Sequence, residues 1–81
     1  MRLTYDPGHN IAYIRLREKC GEVESVRVSD ELTVDIAPDG TVYGIELLNA
    51  NDQLRRGDAG TLLVINEATG DRAELPLAFG S

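Results

Sequence analysis

Apolar and polar positions alternate along most of this chain, and the alternation breaks at short clusters of Pro, Gly, Asp and Asn. A period of two marks a strand with one covered face, so the pattern predicts strands joined by tight turns. Arg2-Leu3-Thr4-Tyr5 is the first such run, stopped by Asp6-Pro7-Gly8. Asn10 opens the second, in which Ile11, Tyr13, Ile14 and Leu16 are all apolar, as in a strand partly covered on both faces. The two should pair antiparallel across their short turn. Arg17 to Glu22 reads as a charged, solvated connector with no chemistry assigned to it. Val23 to Val28 sets Val23, Ser25 and Arg27 against Glu24, Val26 and Val28, the pattern of a half-exposed or edge strand.

The strongest hairpin signal is Leu32 to Leu48, where two β-prone runs flank Pro38-Asp39-Gly40. Proline presets φ, aspartate caps its own turn, and glycine tolerates φ > 0. Two registers are open. A two-residue turn at Asp39-Gly40 sets Ile36 opposite Tyr43, Val34 opposite Ile45 and Leu32 opposite Leu47, collecting the large apolar side chains on one face. A type I turn on Pro38-Asp39 with Gly40 in a left-handed bulge suits the proline better, and sets Ile36 opposite Val42 and Leu32 opposite Glu46. Burial of one face favours the first, since it outweighs one lost ladder bond of about 1 kcal/mol.

Beyond Leu48 the asparagines Asn49 and Asn51, an early Asp52, the late Arg55 and Arg56 and a following Gly57 predict one short helix near residues 51–56, held by packing of Leu54. Gly57-Asp58-Ala59-Gly60 reads as a linker in which Gly57 and Gly60 could hinge and a Cβ at Gly60 would cost little. Thr61 to Ile65 is an apolar run of strand length, Asn66 to Gly70 is turn-like, and Arg72 to Leu77 alternates again, with Pro76 confining the last strand to an edge or ending it. The fold expected is mainly β: a small antiparallel sheet or open roll of six to seven short strands joined by hairpins, with one short helix. Residues 1–81 make one small domain, of which 58–81 form a C-terminal hairpin extension. The predicted core is Leu3, Tyr5, Ile14, Leu16, Val34, Ile36, Tyr43, Ile45, Leu47, Leu63 and Ile65.

Composition narrows the function classes. A chain of 81 residues buries only about 60–65% of its extended surface. With no Trp and a single Phe, this one must build its core from Val, Ile, Leu and three tyrosines. A thin core of this kind, together with the apolar run Leu62 to Ile65, predicts self-association, most simply as a two-fold homodimer. A net charge of −6 and a pI near 4.5 disfavour direct contact with nucleic acid or anionic membranes and suit a basic protein partner. Cys20 is the only cysteine, which rules out an intrachain disulfide and fits a reducing compartment. No apolar run near about 18 residues and no secretory pattern occurs, so a cytoplasmic location is expected.

Candidate chemistry is sparse. One Cys and one His leave no favoured nucleophile and base pair, so no catalytic residue is assigned and no enzyme is expected. Asp6, His9, Asp35, Asp39 and Glu46 have the donor types of a hard divalent cation site, but each has an ordinary place in a turn or on the outward side of a strand. No metal ligand, cofactor or cofactor-binding residue is therefore assigned. Gly44, inside Thr41-Val42-Tyr43-Gly44-Ile45-Glu46, marks a bulge or a close backbone approach, with Tyr43 or a neighbour lying across it.

Leu3-Thr4-Tyr5-Asp6-Pro7, Ala12-Tyr13-Ile14-Arg15-Leu16, and Val34-Asp35-Ile36 leading through Asp39-Gly40 to Gly44-Ile45-Glu46-Leu47-Leu48-Asn49-Ala50 resemble the small bacterial family known as domain of unknown function 2283. The resemblance covers roughly residues 1–52 and departs from the family where this chain has Asn10 and Ala37 in place of acidic residues. It implies a short bacterial or phage protein without assigned catalytic residues, and an antitoxin-like role beside a small toxin. The expected function is thus a non-enzymatic interaction or oligomerisation module. An antitoxin-like partner masking a small basic toxin is one alternative, and a metal-binding or hydrolytic micro-enzyme built on Asp6, His9, Asp35 and Glu46 is the other.

Overall fold

The computed structural model describes residues 1–18, 21–55 and 60–77. Cys20 and Gly57 lie outside the described residues. Seven strands and a helix follow in the order β1 (Arg2–Asp6), β2 (Ile11–Arg15), β3 (Glu24–Ser29), β4 (Leu32–Ile36), β5 (Val42–Leu48), α1 (Ala50–Arg55), β6 (Thr61–Ile65) and β7 (Arg72–Pro76). The first five strands form one antiparallel sheet in the spatial order β1-β2-β5-β4-β3, and β6 and β7 form a separate hairpin. The mainly β fold, the β1–β2 pairing, the edge position of β3 and the short helix are those that the alternation predicts. Among the described residues no helix is long and apolar enough to cross a membrane.

Each of the two proposed registers of the central hairpin holds over part of it. At the turn, Gly40 N–H donates to Ala37 O at 2.9 Å and Ala37 N–H donates to Thr41 O at 2.8 Å, with Gly40 at φ 87°. This is the turn that suits Pro38, and it sets Ile36 opposite Val42. One residue later the register shifts. Asp35 pairs with Gly44, so Tyr43 is the extra residue of a β-bulge, and beyond it Val34 faces Ile45 and Leu32 faces Leu47. The preference for one register along the whole hairpin is corrected: turn chemistry decides near Gly40, and burial decides beyond the bulge. The Tyr43 carbonyl is not left idle, because it accepts from Leu16 N–H at 2.9 Å.

The restored register aligns an apolar row across all five strands: Leu3, Ile14, Ile45, Val34 and Val26. A second row on the same face runs Tyr5, Ala12, Leu47 and Leu32. Among the described residues only Ala12, Ala37 and Ala50 are buried apolar residues, and the larger side chains of these rows are partly covered at best. The predicted core is right in its face for Leu3, Tyr5, Ile14, Val34, Ile45 and Leu47 and too generous in its depth, whereas Tyr43 is the extra residue of the bulge and Leu63 and Ile65 lie on the other row of β6 from Leu62 and Val64, which line a cavity. Leu16 lies past the end of β2 and is exposed, and Leu63 and Ile65 are exposed at 40% and 49%; Leu62 and Val64 are exposed too, so neither row of this strand is buried.

Helix α1 is fastened to the end of the sheet by amides rather than by its own cap. Asn10 (φ 60°) and Asn49 (φ 53°) both take the left-handed conformation, which asparagine tolerates better than most residues. Asn10 Oδ1 accepts from Asn51 N–H at 2.7 Å, Ala50 N–H donates to Asn10 O, and Gln53 Nε2 donates to the carbonyls of Leu48 and Glu31. Tyr5 O–H donates to Asn51 Oδ1 at 2.6 Å, and Asn51 Nδ2 donates to Pro7 O. Two of these bonds satisfy the N–H groups of Ala50 and Asn51 at the start of a helix too short to persist alone, and the others hold its side chains to the sheet.

Gly60 is no relaxed linker. It is buried, has φ 80°, and its carbonyl accepts from Leu77 N–H at 2.7 Å, so it closes the open end of the β6–β7 hairpin. A Cβ at Gly40 would meet open space, so Gly40→Val is charged only for the left-handed backbone, roughly 1–2 kcal/mol. Gly60→Val carries that cost plus crowding. Urea unfolding of both variants beside the parent should therefore show a midpoint loss for Gly60→Val at least as large as for Gly40→Val; a negligible loss at position 60 would contradict the hairpin closure described.

Candidate functional site

The two faces of the five-stranded sheet differ in chemistry. On the polar face Thr4, Tyr13, Glu46, Thr33 and Arg27 form one cross-strand row, and Arg15, Gly44, Asp35 and Ser25 form the next. Tyr13, opposite Glu46, leans diagonally over Gly44 and donates its O–H to Asp35 Oδ2 at 2.6 Å. Ser25 O–H donates to the other carboxylate oxygen, Oδ1, also at 2.6 Å. A hydrogen-bonded chain thus runs from β2 across β5 and β4 to β3. Only glycine allows it: a Cβ at position 44 would stand 2.5 Å from Cζ and 2.7 Å from Cε1 of the Tyr13 ring, and closer still to Oη. Partial burial, then the bond to Asp35 and its negative charge, push the Tyr13 hydroxyl well above its ordinary pKa of 10.0. A phenol held neutral in this way is a fixed donor, not a base.

The remaining candidate donors serve their own turns. Asp6 takes Gly8 N–H at 3.0 Å and His9 N–H at 3.2 Å on Oδ1, and its Oδ2 lies 2.6 Å from His9 Nδ1. The bond to His9 lowers the Asp6 pKa. Asp39 accepts from the hydroxyl and N–H of Thr41, which lower its pKa, and pairs with the Arg17 guanidinium at 3.2 Å. Arg17 also donates to the Thr41 hydroxyl oxygen. Asp35 and Glu46 share the polar face but sit in different rows, and Asp6, His9 and Asp39 lie in two separate turns. Among the described residues no three His, Cys, Asp or Glu side chains converge to hold a metal ion.

The opposite face carries the surface with binding character. Leu62 and Val64 of β6, with Leu75 and Leu77, face Met1, Leu3, Ile14 and Leu54 across an apolar cavity of about 340 Å³. Away from that cavity, Val26 and Val42 are exposed at the β3 and β5 side of the sheet, and Leu63 and Ile65 on the outer row of the hairpin. The polar rim is thin: Glu24 shares the apolar face of β3, and Arg72 and Glu74 share the outer row of the hairpin.

A five-stranded antiparallel sheet with one hydrogen-bonded polar face and one apolar face, followed by a two-stranded hairpin, defines a small mainly β protein. The family model described as "Protein of unknown function (DUF2283)" matches residues 2–51, and the chain belongs to that family. The match spans β1 to β5 and the start of α1 and excludes the β6–β7 hairpin. No curated protein and no solved structure matches the chain.

The Tyr13 contact has two measurable consequences. Gly44→Ala should displace the ring and break the bond to Asp35, destabilising the fold by several kcal/mol in the manner of overpacking, roughly 1–3 kcal/mol plus about 1–3 kcal/mol for the unmade bond. Tyr13→Phe should not rescue it, because ring carbons collide as well, whereas Tyr13→Ala should recover most of the overpacking loss. Because the folded-state pKa of Tyr13 is raised, its contribution is intact below the unfolded value near 10 and is lost as pH rises above it. Ultraviolet titration should show a tyrosine ionisation displaced above the ordinary 10.0 that is absent from Tyr13→Phe; no displaced ionisation would contradict the contact.

Proposed function

We propose that this chain is a non-enzymatic interaction module of the cytoplasm that docks another polypeptide on the apolar side of its sheet. The observation that carries the reading is the unfinished core: among the described residues no large side chain is fully buried, while Val26, Val28, Val42, Leu62, Leu63, Val64, Ile65 and Leu75 are all exposed. Large apolar side chains exposed in this number on a small chain favour an interaction surface. The polar face has its side chains committed to each other across four strands, which suits a scaffold that holds the other face flat.

The net charge of −6 favours a second reading, in which the occupant is a small basic protein drawn in by long-range attraction, as an antitoxin-like partner would draw a toxin. Apolar contact supplies affinity in both cases, and charge selects the partner and speeds encounter.

Val26 and Arg27 are neighbours in β3 that lie on opposite faces, which gives an internal control. A photo-reactive benzophenone residue at position 26, introduced in living cells, should give a discrete cross-linked protein adduct, and the same residue at position 27 should not. Equal adducts from both positions, or none from 26, would overturn the docking reading. The adduct mass reads the partner.

A further inference from the structure

We infer that the apolar cavity between the β6–β7 hairpin and the five-stranded sheet is a binding site for a small, neutral, aliphatic molecule, whose hydrocarbon chain lies between the two layers. The inference goes beyond the docking reading and is independent of it, since Val26 and Val42 line no part of this cavity.

Size and access come first. Native interiors leave few voids larger than a water molecule, whereas the space here is about 340 Å³, inside the range of about 300–1,000 Å³ that small-molecule sites occupy. It is not sealed. Leu62, Val64 and Leu75, which face the sheet across it, keep 38%, 50% and 51% of their surface open to solvent. Exposure alone does not single them out, because Leu63 and Ile65 on the other row of β6 are exposed to the same degree. The distinguishing feature is an opposed wall: Leu3 of β1, Ile14 of β2 and Leu54 of α1 stand across from the inner row. A molecule in this gap is covered from two sides, and one on the outer row from a single side.

The lining sets the chemistry of the occupant. None of the lining side chains carries a charge, an N–H or an O–H. A water molecule there finds no side-chain partner, although a resident water needs about two to four polar partners. A ligand must likewise keep its polar groups outside the gap, because burying them unpaired is costly. No aromatic side chain lines the space, so an aromatic ligand gains no ring pairing, whereas leucine, isoleucine, valine and methionine pack well on an aliphatic chain. The net charge of −6, with no cation in the lining, disfavours a fatty-acid anion and leaves a neutral chain. Both walls belong to one chain, which suits a free molecule taken up between them rather than the tails of a bilayer.

Linear alcohols are the probe. In calorimetric titration of the full chain, hexanol, octanol and decanol should bind at one site, with affinity rising about fourfold for each added methylene, the equivalent of about 0.8 kcal/mol. In methyl NMR spectra decanol should shift Leu3, Ile14 and Val64 and leave Val26 in place. Val64→Trp puts a large side chain into the gap and should weaken decanol binding about tenfold, while Leu63→Trp, on the outer row of the same strand, should leave it near the parent value. If circular dichroism shows that Val64→Trp does not fold, Leu75→Trp fills the same gap from β7 with the same expectation. Decanoate should bind about tenfold more weakly than decanol, and phosphatidylcholine vesicles should not carry the protein down on centrifugation. Absence of decanol binding, equal methyl shifts at Val26 and Val64, or equal losses from the two tryptophan variants would overturn the inference. So would decanoate binding as tight as decanol, or sedimentation with the vesicles.

Discussion

The constraint on which the rest of the structure depends is a one-residue mismatch between two demands placed on the central hairpin. The turn built on Pro38, Asp39 and Gly40 requires Ile36 to meet Val42, and the apolar face requires Val34 to meet Ile45. These cannot both hold along a regular ladder, because a slip of one residue turns every following side chain to the other face. The bulge at Tyr43 absorbs the difference. Without it Val34 would face Gly44 and Leu32 would face Glu46, and the apolar row across five strands would end in the middle of the sheet.

The bulge also places Gly44 where a strand residue without a side chain is needed. Tyr13 crosses the backbone at that point and ties β2 to β4 without a direct ladder between them, and Asp35 extends the tie to Ser25 on the edge strand. The polar face is thereby tied together by hydrogen bonds among its own side chains. The apolar face meets the β6–β7 hairpin across the cavity at Leu3 and Ile14 and is exposed at Val26 and Val42. Both the stability of the sheet and the docking role proposed for it follow from the separation of these two faces.

Much of this was legible in the chain. Period-two alternation locates the strands, the Pro-Asp-Gly cluster locates the central turn, and Gly44 signals a bulge or a close backbone approach, both of which occur there. The side chain across it is Tyr13 and not Tyr43 or its chain neighbours, because Tyr13 is diagonal to Gly44 and only the register across β2 and β5 brings them together. The register itself was weighed as two alternatives for the whole hairpin, whereas a bulge lets local turn chemistry and distant burial each prevail over part of it. Core depth was overestimated at Leu16, Leu63 and Ile65 because alternation reports which residues share a face and says nothing of whether that face is covered. Gly60 looked like a hinge among small and polar neighbours, and its left-handed, hydrogen-bonded position emerges only once Leu77 is brought back beside it. Among the candidate cation ligands, Asp6 and Asp39 were correctly legible as turn residues, since an aspartate before glycine bonds its own backbone before it reaches for anything else.

The measurement that tests this account most directly is the register of β4 against β5 on either side of Tyr43, read from cross-strand contacts between backbone Hα protons in solution. In an antiparallel sheet these contacts join directly opposed residues of the narrow pairs. The account predicts Hα contacts between Val34 and Ile45 and between Leu32 and Leu47, together with protection of the Leu16 amide by the Tyr43 carbonyl. Contacts joining Val34 to Gly44 and Leu32 to Glu46 would show that the turn register runs on unbroken, that no bulge restores the apolar row, and that the open face described here does not exist.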